Sequence, residues 1–264
     1  DILTPTPVGH LVAAELGSQP GADIAFVSGD FAYVFYETGM GPAPFFLQGE
    51  PRSLVAGEIE GGGPADLLLV DNLNGHLNYA IADNGGFSAQ ISISEVSSPR
   101  RGAIADVDAD GTSDFVFTAE GGNGIGLWLD LGHDGTPTGP FATEATSASA
   151  LALGNFALEP GHAPNAVFFG QLQTGSSLQV YVNKGAGSFE KFADNVDAED
   201  SVMKLLAPRL NSPTDDNIVA LAPLKVQVLT LVAGKFKAGP SLSLNDELRD
   251  IAAGDLNDDG RPDL

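Results

Sequence analysis

Gly102-Ala-Ile-Ala-Asp106-Val-Asp108-Ala-Asp110-Gly111-Thr112-Ser113-Asp114-Phe-Val-Phe117 is the stretch on which the reading of this chain turns. An apolar run enters an acidic loop and a second apolar run leaves it. Counted from Asp106, acids stand at positions one, three, five and nine, with glycine at six. Near the end of the sequence the order returns. Ile251-Ala-Ala-Gly-Asp255 leads through Leu-Asn257-Asp-Asp259-Gly-Arg261-Pro to Asp263-Leu264. Both loops follow D-x-[DN]-x-D-G-x-x-D.

The frame around the loop recurs even where the acids do not. Leu11–Glu15 leads to Asp23-Ile-Ala-Phe-Val27, and Leu54–Glu58 to Asp66-Leu-Leu-Leu-Val70. Leu151–Asn155 leads to Asn165-Ala-Val-Phe-Phe169, and Lys204–Arg209 to Asn217-Ile-Val-Ala-Leu221. The anchors at 23, 66, 114, 165, 217 and 263 are spaced by 43, 48, 51, 52 and 46 residues, a mean of 48. A third apolar run follows each time: Tyr33–Tyr36, Leu77–Ile81, Gly126–Leu129, Leu178–Val182 and Val226–Leu229. A Gly-rich turn then delivers Phe45, Phe87, Phe141, Phe189 or Phe236, and a fourth segment such as Gln90–Ser94 or Ser241–Leu244 comes after it. Short apolar or alternating runs between turn residues read as strands. Ser201–Ala207, the one helix-like stretch, falls at a first-strand position and is read as strand.

Four short strands per unit at this period predict an all-β chain, a β-propeller of four-stranded antiparallel blades. A lone four-stranded sheet has two apolar faces, and neighbouring blades cover them. The period predicts a single domain over 1–264, with blades starting near 11, 54, 102, 150, 202 and 248. The last is incomplete, and residues 1–9 stand where a strand completing it would come. The blade count stays open between six and seven, and the repeat suggests a larger chain continuing past Leu264.

The two full loops carry the chemistry. A hard cation such as Ca²⁺ takes six to eight oxygens. Side chains at positions one, three, five and nine, with the carbonyl of position seven (Thr112 or Arg261), offer such a set. An EF-hand needs an acid at position twelve and flanking helices, but position twelve of the first loop is Phe117 inside a strand-like run. Glu58-Ile-Glu60-Gly-Gly-Gly-Pro-Ala-Asp66 keeps three acids but has Gly62 at position five, and is a weaker candidate. The remaining loops lack the ligand series.

The loop pattern with the later Gly-turn-Phe resembles the FG-GAP/VCBS repeats of integrin α-subunit heads, propeller lectins and many secreted bacterial proteins. The resemblance spans nearly the whole chain, although two of six loops keep the full motif. It implies that each loop joins the first and second strands of a blade and that two structural Ca²⁺ ions are bound. It assigns Asp106, Asp108, Asp110 and Asp114 to one, and Asp255, Asn257, Asp259 and Asp263 to the other. It also implies an extracellular, cell-surface or periplasmic setting and a role in adhesion or ligand binding.

Composition narrows the function. Thirty-five Asp+Glu against 12 Lys+Arg leave a net charge of −23, which repels nucleic-acid backbones and anionic lipid heads. The absence of cysteine excludes disulfides and thiolate metal sites. No apolar run is long enough to span a bilayer. His10, His76, His133 and His162 are dispersed over different units, and no nucleophile elbow, P-loop or dinucleotide fingerprint occurs. The expectation is a non-catalytic binding module for a glycan or an extracellular protein. The alternatives are a structural repeat domain of a larger extracellular protein, or a propeller-fold polysaccharide lyase.

Overall fold

The structure is a computed structural model describing residues 8–17, 23–36, 45–46, 51–59, 63–71, 76–83, 86–87, 91–93, 99–119, 125–128, 137–141, 147–156, 165–172, 175–192, 196, 201–210, 216–248, 250–254 and 261–264. Among the described residues, every regular element is a strand. Sheet 1 comprises β1 (Val8–Ala14), β2 (Asp23–Ser28), β3 (Phe31–Phe35) and β4 (Phe45–Phe46). Sheet 2 comprises β5 (Pro51–Gly57), β6 (Asp66–Asp71), β7 (His76–Ala80) and β10 (Ile91–Ile93), with β8 (Ala82–Asp83) and β9 (Gly86–Phe87) as a separate two-stranded hairpin. Sheet 3 comprises β11 (Pro99–Ala105), β12 (Asp114–Ala119), β13 (Ile125–Trp128) and β14 (Pro137–Phe141). Sheet 4 comprises β15 (Ser147–Gly154), β16 (Asn165–Leu172), β17 (Gly175–Gly185) and β18 (Ser188–Lys191). Sheet 5 comprises β19 (Lys204–Leu206), β20 (Ile218–Ala222), β21 (Lys225–Val232) and β22 (Lys235–Ser243).

Each sheet is thus an antiparallel meander whose strands lie side by side in chain order. The described residues fall into two compact units, one drawn from 1–105, 111–120 and 126–139, the other from 106–110, 121–125 and 140–264.

One register repeats. The residue before each loop pairs with the residue closing it: Ala14 with Asp23, Gly57 with Asp66, Ala105 with Asp114 and Gly154 with Asn165. In sheet 5 the Asn217 N–H donates to the Pro208 carbonyl at 2.8 Å, the same junction. Gly254 and Asp263 form an isolated antiparallel bridge, which extends the junction to the sixth repeat. A second feature recurs with equal regularity. The register of the first strand slips between Val8 and His10, Pro51 and Ser53, Pro99 and Arg101, and Ala148 and Ala150. The extra residue (Gly9, Arg52, Arg100 or Ser149) lies six positions before the loop each time. An inserted residue bends its strand and increases local twist, so four sheets share one bend.

The second strands explain the continuous apolar runs. Successive strand residues face opposite sides. Leu67 and Leu69 of β6 pack with Ala25, Val27 and Leu16 of the sheet 1 repeat, while Leu68 and Val70 pack with Phe115 and Phe117 of β12. A strand covered on both faces has no polar side, and all five residues of β20 are likewise buried. In the second unit, Ala150, Ala152, Leu178 and Val180 pack on Leu205, Ile218, Ala220 and Leu229. Burying such a side chain contributes about 1.5–3 kcal/mol.

Close approach between first strands limits side-chain size. A Cβ on Gly154 would lie 2.5 Å from the Ala207 Cβ, whereas a Cβ on Gly254, at the same repeat position, would meet nothing within 4 Å among the described residues.

The fourth strands differ from the sequence-based expectation. Phe45, Phe141, Phe189 and Phe236 lie within β4, β14, β18 and β22 rather than in turns preceding a further segment. In sheet 5, Phe236 and Ser241–Ser243 belong to one strand, accommodated by a register shift opposite Gln227 and Leu229. The expected order occurs in sheet 2, where Phe87 ends the small hairpin and β10 follows. Ser201 adopts a positive φ of 68° and Lys204–Leu206 forms β19, so that stretch is strand and not helix. Residues 1–7 lie outside the described residues.

Candidate metal centre

All the loops under discussion join the first to the second strand of a sheet, and they share a backbone frame. Position two is apolar and driven inward: Leu16, Ile59, Val107 and Phe156 are all buried. Position nine is polar and equally buried: Asp23, Asp66, Asp114 and Asn217. A buried carboxylate is costly unless hydrogen-bonded, and the loop supplies the donors. Asp23 Oδ2 accepts from the Leu16 and Gly17 N–H groups at 2.9 and 2.8 Å. Asp66 Oδ2 accepts from Ile59 N–H at 2.8 Å and its Oδ1 from Ala82 N–H at 2.7 Å. Asn217 Oδ1 accepts from Leu210 N–H at 3.1 Å. The closing residue therefore holds the inward-pointing position two, independently of any ion.

Adjacent loops are also clasped. The position-one carbonyl accepts from position eight of the following loop: Glu15 from Ala65 N–H at 2.6 Å, Asn155 from Asp216 N–H at 2.7 Å, and Glu58 from the Ser113 hydroxyl.

What fills the frame differs from loop to loop. In the first, position three is Gly17, and a Cβ there would lie 2.9 Å from the Tyr36 ring, which occupies that space. Tyr36 Oη is buried, and burial, with the Asp23 charge as the second cause, pushes its ionisation above the usual tyrosine value. In the second, Glu58 Oε2 accepts from Gly63 N–H at 2.9 Å, while Glu60 and Gly62 lie outside the described residues. In the fifth, position one is Arg209, whose Nε meets Asp216 Oδ1 at 2.9 Å.

The third loop is filled by carboxylates. Asp106, Asp108 and Asp114 each direct an oxygen into a cluster whose members lie within 4.8 Å of one another. Asp114 is fully buried and the other two are half-buried. The turn is built by Ala109 at φ 65° and Gly111 at φ 93°. Nothing crowds a side chain at Gly111, so backbone conformation is what selects glycine there. Asp106 Oδ1 accepts from Ala109 and Asp110 N–H at 2.7 and 3.2 Å, and Asp108 Oδ1 accepts from Asp110 N–H at 3.3 Å. Asp110 itself is exposed and is not one of the three; Thr112 is half-buried. Extended backbone would point positions one, three and five the same way, but the left-handed residue at Ala109 turns the chain before Asp110.

Carboxylate charges 4.8 Å apart repel by about 3.5 kcal/mol per pair at an effective dielectric of 20. Calcium–oxygen distances of about 2.3–2.6 Å set ligands on opposite sides of the ion at most about 5 Å apart. The cluster fits within that diameter, so these three residues suit a hard divalent cation. Of the second full loop, Asp255, Asn257 and Asp259 lie outside the described residues; Arg261 and Asp263 are described, with Asp263 at the junction with Gly254.

Position two and the clasp were not singled out from sequence. An apolar residue at position two, from Leu16 through Leu256, is the signal that carries the first; the clasp uses backbone carbonyls and leaves no common side chain.

No family model matches the chain, and no curated protein matches it. Among solved structures, a crystal structure of BBS1N in complex with ARL6DN, soaked with mercury, superposes with a TM-score of 0.58 at 11% sequence identity. The match covers 90% of this chain and 66% of that one. The likeness is one of fold alone: an all-β chain of small antiparallel sheets similar to the BBS1 β-propeller.

Proposed function

We propose that this chain is a calcium-stabilised propeller of FG-GAP/VCBS-like blades, placed outside the cell or on its surface, that binds a glycan or an extracellular protein through one end of its sheets. Residues 1–264 belong to one domain on this reading. The observation that carries it is the convergence of Asp106, Asp108 and Asp114 oxygens within 4.8 Å on a loop of the expected motif. Asp110 and the Thr112 carbonyl complete the shell. Asp255, Asn257, Asp259, Asp263 and the Arg261 carbonyl form the second site. Both ions are structural, and the net charge of −23 favours cation capture over any polyanionic partner.

Calorimetric titration of the metal-free protein with Ca²⁺ tests the metal sites. Two sites are expected, and Asp108→Ala should remove one. Saturation to a hundred times Kd stabilises by about 2.7 kcal/mol per site, which at this chain length raises Tm by roughly 5–10 °C. Melting curves that coincide in calcium and EDTA would falsify the reading. A glycan array run in calcium and in EDTA then assigns the ligand class. Calcium-dependent sugar binding identifies a lectin-like module, and a blank array with folded protein moves the assignment to a protein ligand or a spacer role.

A further inference from the structure

We propose that Asn183, far from the acidic motif in sequence, is the positioning residue that sets the cation affinity of the Asp106–Asp114 loop; the inference rests on that loop being a cation site. Asn183 stands near the end of β17, where alternate residues face opposite ways. Leu178 and Val180 enter the core shared with sheet 5, so Gln179, Tyr181 and Asn183 project from the other face. Asn183 is fully buried, and both ends of its amide are committed. Its Nδ2 donates to the Val107 carbonyl at 2.5 Å, and its Oδ1 accepts from Gly185 N–H at 2.8 Å. The two partners also settle which end is which: a carbonyl needs the NH₂ and an N–H needs the oxygen.

Val107 lies between Asp106 and Asp108. Its side chain is buried and its carbonyl is held by Asn183, so the peptide joining two of the three clustered acids is pinned at two points. A carboxylate set on a free loop must be ordered when the cation arrives, and that ordering opposes binding. Asn183 fixes the peptide beforehand. The hairpin turn that begins at Gly185, with φ 85°, anchors the amide in turn. Partners that orient metal ligands from behind typically change affinity about 10- to 100-fold when removed.

The test is the calcium Kd of the site that Asp108→Ala abolishes, measured by calorimetry in wild type, Asn183→Leu and Gln179→Leu, with Tm in EDTA for each. Leu has the shape of Asn without its donor. Gln179 is equally buried on the same face of the same strand and controls for generic disturbance. Asn183→Leu should weaken calcium about 10- to 100-fold and Gln179→Leu should leave it within twofold. Where Asn183→Leu does not fold, Asn183→Ala takes its place and should weaken calcium at least fivefold. A role in folding alone would lower Tm in EDTA and leave Kd unchanged. Asn183 variants that bind within twofold of wild type overturn the inference while the metal site stands. A wild-type loop that binds no calcium overturns both.

Discussion

Asp66→Ala tests whether the closing residue of a loop is a structural acceptor in its own right. Asp66 is 2% exposed and accepts two backbone N–H groups, from Ile59 and Ala82. Hydrogen bonds to a charged acceptor contribute about 1.5–3 kcal/mol each, and a buried donor left without a partner costs about 1–3 kcal/mol. Ile59 is 1% exposed, so water does not replace the lost acceptor there; Ala82 is half-buried and can recruit water. The alanine variant should therefore lose about 3–5 kcal/mol, and Ile59 should loosen from Phe115 and Phe117, its neighbours in the core. Asp66→Asn keeps one oxygen and should lose less, about 1.5–3 kcal/mol. The fifth loop supports that ranking, because Asn217 performs the same task as an amide. At this chain length the alanine variant should melt roughly 6–20 °C lower. The assay is thermal and urea unfolding in calcium and again in EDTA, with the same loss expected in both. A loss under about 1 kcal/mol for Asp66→Ala refutes the idea that the closing acid holds the loop; a loss confined to calcium buffer assigns it to metal instead.

Two further outcomes follow from the packing. Gly154→Ala should cost about 1–3 kcal/mol by overpacking, because its Cβ meets Ala207, whereas Gly254→Ala, with nothing within 4 Å among the described residues, should stay within about 0.5 kcal/mol; equal losses in urea unfolding would remove close approach between first strands as the cause. Tyr36→Phe should hold or raise stability at neutral pH, since the buried hydroxyl has no hydrogen-bond partner among the described residues. The Tyr36 ionisation is raised by burial and by Asp23, so the folded state keeps its proton to higher pH than the unfolded one. The titration-linked penalty is therefore absent below the ordinary tyrosine value near 10, and the folded state loses stability as pH rises from there through the folded value. Melting between pH 9 and 12 should show a flatter alkaline decline in the phenylalanine variant, and parallel curves would count against the assignment.

The strand junctions were legible in sequence because one residue performs two visible tasks. An acid or amide directly before an apolar run marks the start of β2, β6, β12 and β16 at residues 23, 66, 114 and 165; at Asp23 and Asp66 it is polar because it accepts the loop's amides, and it precedes apolar residues because the strand enters the core. The bulges were not legible. Gly9, Arg52, Arg100 and Ser149 have no shared side-chain chemistry, since a bulge is a backbone event. The fourth strands were misplaced because half-exposed edges impose a weak pattern on the sequence. Within the third loop, spacing singled out the acids, but the turn at Ala109 decides which of them lie together in this structure. The Asn183 contact joins residues 76 positions apart and has no local signature.

Because the closing residue secures the first, second and fifth loops through backbone amides, the contents of such a loop are free to vary without endangering the strands below. An aromatic lid at Tyr36, a glutamate turned onto Gly63, a guanidinium at Arg209 and a carboxylate trio at Asp106 are four interchangeable fillings of one socket. A chain built this way changes the charge of its loops, repeat by repeat, while the strand junctions beneath them stay the same.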